Sequence, residues 1–187
     1  YISKHPKAEL LWGIDTYTLI YDPKNVSPSS NLYRPGLWVD FYNAALFLNH
    51  QQGFQKYYKS KLVVGIENLP YKPNLEPLLG NFMLDLGGTI STKTIQKERT
   101  PFISDDGTKV APIICYESVY GEYVTGFVKN GAGFLAIITN DAWWNETQGH
   151  KQHLTFASLR AIETRRDIAR SANTGISGFI NQKGDIT

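Results

Sequence analysis

The chain has very little sulfur: 1 cysteine and 1 methionine in 187 residues. A single cysteine excludes an intramolecular disulfide framework and any multi-cysteine zinc site. It leaves the compartment open, since a secreted protein can also do without disulfides. Charge of one sign is lacking too. Lys and Arg number 19 against 17 Asp and Glu, a formal net charge of +2, and no basic block stands out. That balance argues against a nucleic-acid partner. No apolar run approaches the roughly eighteen residues of a membrane span, and the N-terminus is not signal-like. Internal repeats and low-complexity segments are missing as well.

What is present is a core. Hydrophobic residues make up 42 % of the chain, with 11 Tyr, 9 Phe and 4 Trp. Such a composition suits one globular domain over residues 1–187. The abrupt start at Tyr1 and end at Thr187, with no capping element, read as a piece of something longer. Leu10–Ile14 reads as a buried strand, and Thr16–Tyr21 extends it or pairs with it. Asp22–Arg34 is rich in Pro, Ser and Asn and reads as a loop. Tyr42–Leu48 returns to strand character, and Asn49–Gly53 turns. The 70–88 segment is long and irregular, with Leu75, Leu78, Leu79, Phe82, Met83 and Leu84 exposed by pattern.

The second half alternates. Val110–Ile114 is a strand, Glu117–Asn130 a helix, and Phe134–Thr139 a continuous apolar strand. Asn140–Gly149 is a loop and His150–Arg166 a helix, with Leu154, Ala157, Leu159, Ala161 and Ile162 expected inside. Ile168–Ala172 and Ser177–Ile180 close the series. Strands alternating with helices require crossover connections and a layered α/β fold.

The only cysteine, Cys115, stands where an apolar β-branched run stops and a polar, helix-starting sequence begins. Open α/β sheets present reactive groups at that place, and a helix N-terminus favours a thiolate. A lone cysteine serves equally well as a small buried hydrophobe. A cysteine nucleophile needs a base and a group that stabilises the oxyanion. The four histidines give no clear base. His150 and His153 share a helical face near Asp141, but a convincing third metal ligand is lacking, so they read as surface residues. Lys59 and Lys61 flank an apolar segment, with Glu67 following. A held lysine would stabilise both thiolate and oxyanion; taken alone, these residues read as solvated charges. Glu117 is either a first-turn helix residue favoured by the dipole or a catalytic group.

Five segments in register resemble the nitrilase superfamily and, within it, the apolipoprotein N-acyltransferases of bacterial envelopes. Tyr57-Tyr-Lys-Ser-Lys-Leu-Val-Val-Gly-Ile-Glu-Asn-Leu-Pro70 is similar to that family's Tyr-x-Lys-x-His-Leu-Val-Pro-Phe-Gly-Glu-x-x-Pro. Ile114-Cys-Tyr-Glu117 resembles its nucleophile motif, and Thr139-Asn-Asp-Ala-Trp-Trp144 its Asn-Asp-Ala-Trp-Phe loop. Arg160–Arg166 and Arg170–Ser177 resemble its last helix and strand, the latter closed by the Gln182–Gly184 turn.

The resemblance implies a four-layer α-β-β-α sandwich with a Glu–Lys–Cys triad and no cofactor or metal. Cys115 would be the nucleophile and Lys59 the triad lysine. Glu67 would support the site, Glu117 would share in catalysis beside the nucleophile, and Tyr116, Trp143 and Trp144 would meet substrate. A phospholipid would donate its acyl chain as a Cys115 thioester. The amine of an apolipoprotein would then accept it at the membrane surface, in a periplasmic domain of an inner-membrane protein. The 70–88 segment would be a lid.

Departures accompany the resemblance. Lys61 replaces a histidine, Val64-Gly-Ile66 replaces Pro-Phe-Gly, and Trp144 replaces a phenylalanine. The family's general-base glutamate lies in an upstream motif that these residues lack. Glu9 is the only glutamate before the Leu10–Ile14 strand, and its position does not match. The expectation is a domain without its first β-α unit, inert by itself. Two rivals share the motifs: a soluble nitrilase-type amidase, and a non-catalytic domain that binds an acyl chain or a partner.

Overall fold

A computed structural model describes residues 4–63, 67, 92–144 and 147–187, with only the backbone of Trp143. The segment expected to be a lid lies outside the described residues. Two sheets carry the fold. The first is antiparallel: β1 (Leu10–Ile20), β2 (Asn31–Arg34), β3 (Leu37–Leu48) and β4 (Phe54–Tyr58). β3 pairs with β1 over its length, from Leu10 opposite Leu48 to Ile20 opposite Trp38. On its other edge it takes β2 near its start and β4 near its end.

The second sheet runs β5 (Phe102–Ile103), β6 (Lys109–Ile114), β7 (Phe134–Thr139), β8 (Ile168–Ala172) and β9 (Gly178–Ile180) in that spatial order. β6, β7 and β8 are parallel, and the two edge strands are antiparallel. Parallel neighbours need crossovers, and α1 (Gly121–Lys129) and α2 (Gly149–Thr164) supply them. A parallel strand covered on both faces is apolar throughout. β7 shows this, with Leu135, Ala136, Ile137 and Ile138 all buried.

The sheets meet face to face. Phe47 of β3 stacks on Phe102 of β5 with centroids 5.4 Å apart, and Gly13 of β1 sits against Ile138 of β7. On the other side of the second sheet, Val124 and Phe127 of α1 and Ala157 and Ala161 of α2 are fully buried. The layered α/β sandwich expected from the sequence is thus present. Among the described residues it has three layers, α-β-β, with no helix over the outer face of the first sheet.

Several expectations are corrected. Asn31–Arg34, read as loop, is a strand, because Asn31 and Leu32 find partners on β3. β3 begins at Leu37, earlier than Tyr42. β5, only two residues long, has no periodicity to read. The helix expected over Glu117–Asn130 is broken: Cys115–Val119 is a 3-10 turn, and Tyr120 is extended (φ −90°, ψ 92°) before α1 starts. On α2 the buried stripe is His153, Leu154, Ala157, Arg160, Ala161 and Thr164. Leu159 and Ile162, expected inside, are 41 % and 50 % exposed, since they fall off that spacing.

Phe127 is wholly buried, edge-on to both Tyr57 and Tyr123. Phe127→Ala should lower the unfolding free energy in urea by about 3–5 kcal/mol, from lost transfer energy plus a cavity. Phe179→Ala, at a 68 % exposed side chain, should stay within about 0.5 kcal/mol of the parent.

Candidate active site

β6 delivers the cysteine. The strand ends at Ile114, and Cys115 turns the chain with φ +51°; apart from glycines, only Arg165 shares a positive φ among the described residues. A side chain in this left-handed region costs about 1 kcal/mol or more, so neighbours must hold it there. The Cys115 carbonyl accepts from Ser118 Oγ (2.9 Å) and lies 3.1 Å from His153 Nε2.

β4 delivers the lysine. Beyond Tyr58 the Lys59 amide still donates to Asn43 O (2.8 Å), so the side chain stays registered to the first sheet. Lys59 is 1 % exposed and its ammonium donates to both Glu67 oxygens, at 2.8 and 2.7 Å. Glu67 also accepts from the Val63 amide (2.8 Å) and from Asn43 Nδ2. A buried ammonium is tolerated because a carboxylate pairs with it and further donors satisfy that carboxylate.

The two arms face one cavity of about 650 Å³, at the C-terminal ends of β6, β7 and β8. Cys115, Lys59 and Glu67 line it, with Ile114, Thr139 and Ala172 at the strand ends. This is where open α/β sheets place their sites. The structure therefore brings together three of the residues singled out in the sequence.

Glu117 is wholly buried and does not line the cavity. Its Oε2 accepts from the Ile114 amide (2.8 Å); its Oε1 accepts from the Ser60 amide (2.6 Å), the Lys61 amide (3.2 Å) and Tyr57 OH (2.7 Å). Burial holds its carboxyl above the usual range, and the Ile114 and Ser60 amides, the Tyr57 hydroxyl and the Lys59 cation offset only part of that rise. Glu117 ties the cysteine turn to the lysine arm.

Tyr116 is half-buried and edge-on to Tyr120 (5.7 Å), while Trp144 is 38 % exposed. Neither lines the cavity, and the Trp143 side chain lies outside the described residues. Glu9 is held elsewhere, accepting from Ser104 Oγ (2.8 and 2.7 Å) and the Asp105 amide (2.5 Å).

Two residues escaped the sequence reading. Lys93, 8 % exposed, lines the cavity and donates to Asp15 (2.7 Å); its polar surroundings in the chain look like any surface loop. His153, read as a surface residue, is 4 % exposed. Its Nδ1 lies 2.8 Å from Asp141 Oδ1, and Arg170 donates to Asp141 Oδ2 (2.7 Å). The spacing of His153 with Ala157, Arg160 and Thr164 was the available signal for its burial.

Burial pushes the Asp141 carboxyl up, but hydrogen bonds from His153 and Arg170 outweigh it and hold the group at about 2. Gly175 (φ +115°) completes the packing, since a Cβ there would lie 2.7 Å from Asp141 Oδ2. Ligand atoms of Cys115, Asp141 and His153 lie within 4.8 Å of one another, which would suit a metal. Both Asp141 oxygens are already engaged, however, and the guanidinium opposes a cation.

The chain is similar to known proteins in sequence and in fold. Residues 26–187 match the carbon-nitrogen hydrolase family model. The chain is 41 % identical over 188 residues to an apolipoprotein N-acyltransferase of Chlorobaculum tepidum, a match covering 96 % of this chain and 35 % of that protein. An apolipoprotein N-acyltransferase of Shewanella oneidensis is 32 % identical over 160 residues, covering 79 % of this chain and 30 % of its own length. The chain thus spans about a third of the length of these curated relatives. In fold it is similar to an amidase from Nesterenkonia sp. (TM-score 0.61, 15 % identity, 99 % of this chain and 57 % of the amidase). The chain belongs to the carbon-nitrogen hydrolase family. Within that family, the curated relatives named here are all apolipoprotein N-acyltransferases.

The folded value of Asp141, about 2, lies below the 3.8 of a free carboxyl. The unfolded chain therefore takes up this proton first as the pH falls. Asp141 stabilises the fold fully above about pH 4, and that contribution is lost as the pH drops toward 2. Urea unfolding between about pH 5 and pH 2 should show a shallower loss in Asp141→Asn than in the parent. Equal slopes would contradict the assignment.

Proposed function

We propose that this chain is the acyl-transfer domain of an apolipoprotein N-acyltransferase, with Cys115 as the nucleophile. The observation that carries the reading is the single cavity shared by Cys115, Lys59 and Glu67, in a chain 41 % identical to such an enzyme. A base takes the Cys115 thiol proton and the thiolate attacks the ester carbonyl of a phospholipid; the C–O bond breaks and the lysophospholipid leaves as its alcohol with that proton. The free amine of an apolipoprotein then attacks the thioester. The C–S bond breaks, an amide forms, and the amine's proton returns to the thiolate through a base.

Lys59, held by Glu67, places positive charge where thiolate and oxyanion develop. Glu117 fixes the two arms relative to one another, and Tyr116, Trp143 and Trp144 belong to the substrate approach outside the cavity. Among the described residues Glu67 is the one glutamate lining the cavity, and both its oxygens are engaged by Lys59. We place the domain at the outer face of a bacterial inner membrane, next to the lipid donor. Among the described residues no helix is long and apolar enough to cross a membrane.

The test is a chimera in which this chain replaces the matching segment of the Chlorobaculum tepidum enzyme. The chimera should mature lipoproteins and accumulate a hydroxylamine-sensitive acyl group on Cys115, and Cys115→Ala should abolish both, a loss of at least ~1000-fold in rate. Hydrolysis of small amides by a stably expressed chimera, with no lipoprotein maturation, would favour the amidase reading instead.

A further inference from the structure

The proposed acyl transfer uses Cys115, Lys59 and Glu67, and leaves unexplained a second buried cluster beside the cysteine. Asp141, His153 and Arg170 are 2 %, 4 % and 3 % exposed and come from three separate elements: the loop after β7, α2 and β8. Burying three ionisable side chains is costly, and such clusters persist where they organise something. The cluster faces one object, the Cys115 turn. His153 Nε2 reaches the Cys115 carbonyl oxygen (3.1 Å) and Ser118 Oγ (3.0 Å), and the Ser118 hydroxyl donates to that same carbonyl (2.9 Å).

We propose that His153 is a positioning residue for the nucleophile. It holds the Cys115 carbonyl, directly and through Ser118, and so keeps the residue in the left-handed conformation (φ +51°) in which it lines the cavity. The chain of contacts fixes the ring itself. Asp141 accepts from Nδ1 (2.8 Å) and is anchored in turn by Thr139 Oγ1 (2.9 Å) and Arg170 (2.7 Å). With Nδ1 committed to the carboxylate, Nε2 is the atom turned toward the cysteine. It donates either to the carbonyl itself or to Ser118 Oγ, whose own hydrogen then goes to that carbonyl; both links end on the same oxygen. Arg170 also donates to the Ile176 carbonyl, which locks the β8–β9 turn over Asp141.

A left-handed cysteine costs about 1 kcal/mol or more, so loss of these bonds lets the turn relax and the sulfur leave its attacking position. The proposal rests on the reading of Cys115 as the nucleophile, and the experiment separates the two. The probe is iodoacetamide, and the measured quantity is the alkylation rate of Cys115, the chain's only thiol. It is followed in the parent chain, in His153→Gln and in His153→Leu, with folding of each checked by circular dichroism and with urea-unfolded parent as reference. Gln can reproduce the bond from Nε2 to the carbonyl and its link to Ser118; Leu fills space and makes neither.

The expected result is a parent thiol that reacts faster than the unfolded reference, a fall of at least ~10-fold in His153→Leu, and recovery to within ~3-fold of the parent in His153→Gln. A parent thiol no faster than the unfolded reference would overturn the nucleophile reading and the proposal with it. A fast parent thiol with an equally fast folded His153→Leu would overturn the positioning role alone. Should His153→Leu fail to fold, folded His153→Gln decides: a rate near that of the parent supports the role, and a ~10-fold drop overturns it.

Discussion

One buried carboxylate organises this molecule. Glu117 accepts from the Ile114 amide at the end of β6 and from the Ser60 and Lys61 amides just beyond β4. β6 belongs to one sheet and β4 to the other. The carboxylate is therefore a clasp between the two layers, placed where each layer sends out its functional arm. Backbone amides at a strand end have no ladder partner, and buried ones must find an acceptor. An anion with two oxygens can serve several at once, which a neutral side chain cannot.

The clasp extends into a tyrosine network. Tyr57 donates to Glu117, approaches Tyr123 OH at 2.5 Å and stacks edge-on against Phe127. Burial, and then the Glu117 charge, push the Tyr123 hydroxyl up to about 12, and the same two causes raise Tyr57 further. Both phenols thus stay protonated donors at any ordinary pH. Opposite the clasp, the Asp141–His153–Arg170 cluster grips the other side of the cysteine turn. Cys115 sits between two rigid polar anchors in an otherwise apolar core, a suitable setting for a side chain held in a costly backbone conformation.

The second sheet was legible in the sequence because its strands are buried on both faces and its helices are cleanly punctuated. Phe134–Thr139 is continuous and apolar, and Gly131–Gly133 marks a helix end. The first sheet was harder. Asn31–Arg34 pairs only because β3 lies beside it, a tertiary effect that overrides a turn-rich composition. The cysteine position could be read from local contrast alone. Lys59 and Glu67 could not: their own context resembled solvated charges, and only motif resemblance selected them. Their burial arises from pairing eight positions apart, which has no periodic signature. Glu117 looked like a helix-start residue; its partners on the lysine arm are supplied by the fold. His153 had a readable spacing, but its partners Asp141 and Arg170 lie on other elements.

The central claim is that Glu117 holds the cysteine and lysine arms together, and amide hydrogen exchange measures it most directly. In the parent chain the amides of Ile114, Ser60 and Lys61 should be protected well beyond those of the exposed turns. In Glu117→Gln the three should lose protection together, by at least ~10-fold, while the amides of Leu135 and Ile137 in β7 stay protected. Rapid exchange of the three amides in the parent, or unchanged protection in Glu117→Gln, would contradict the account.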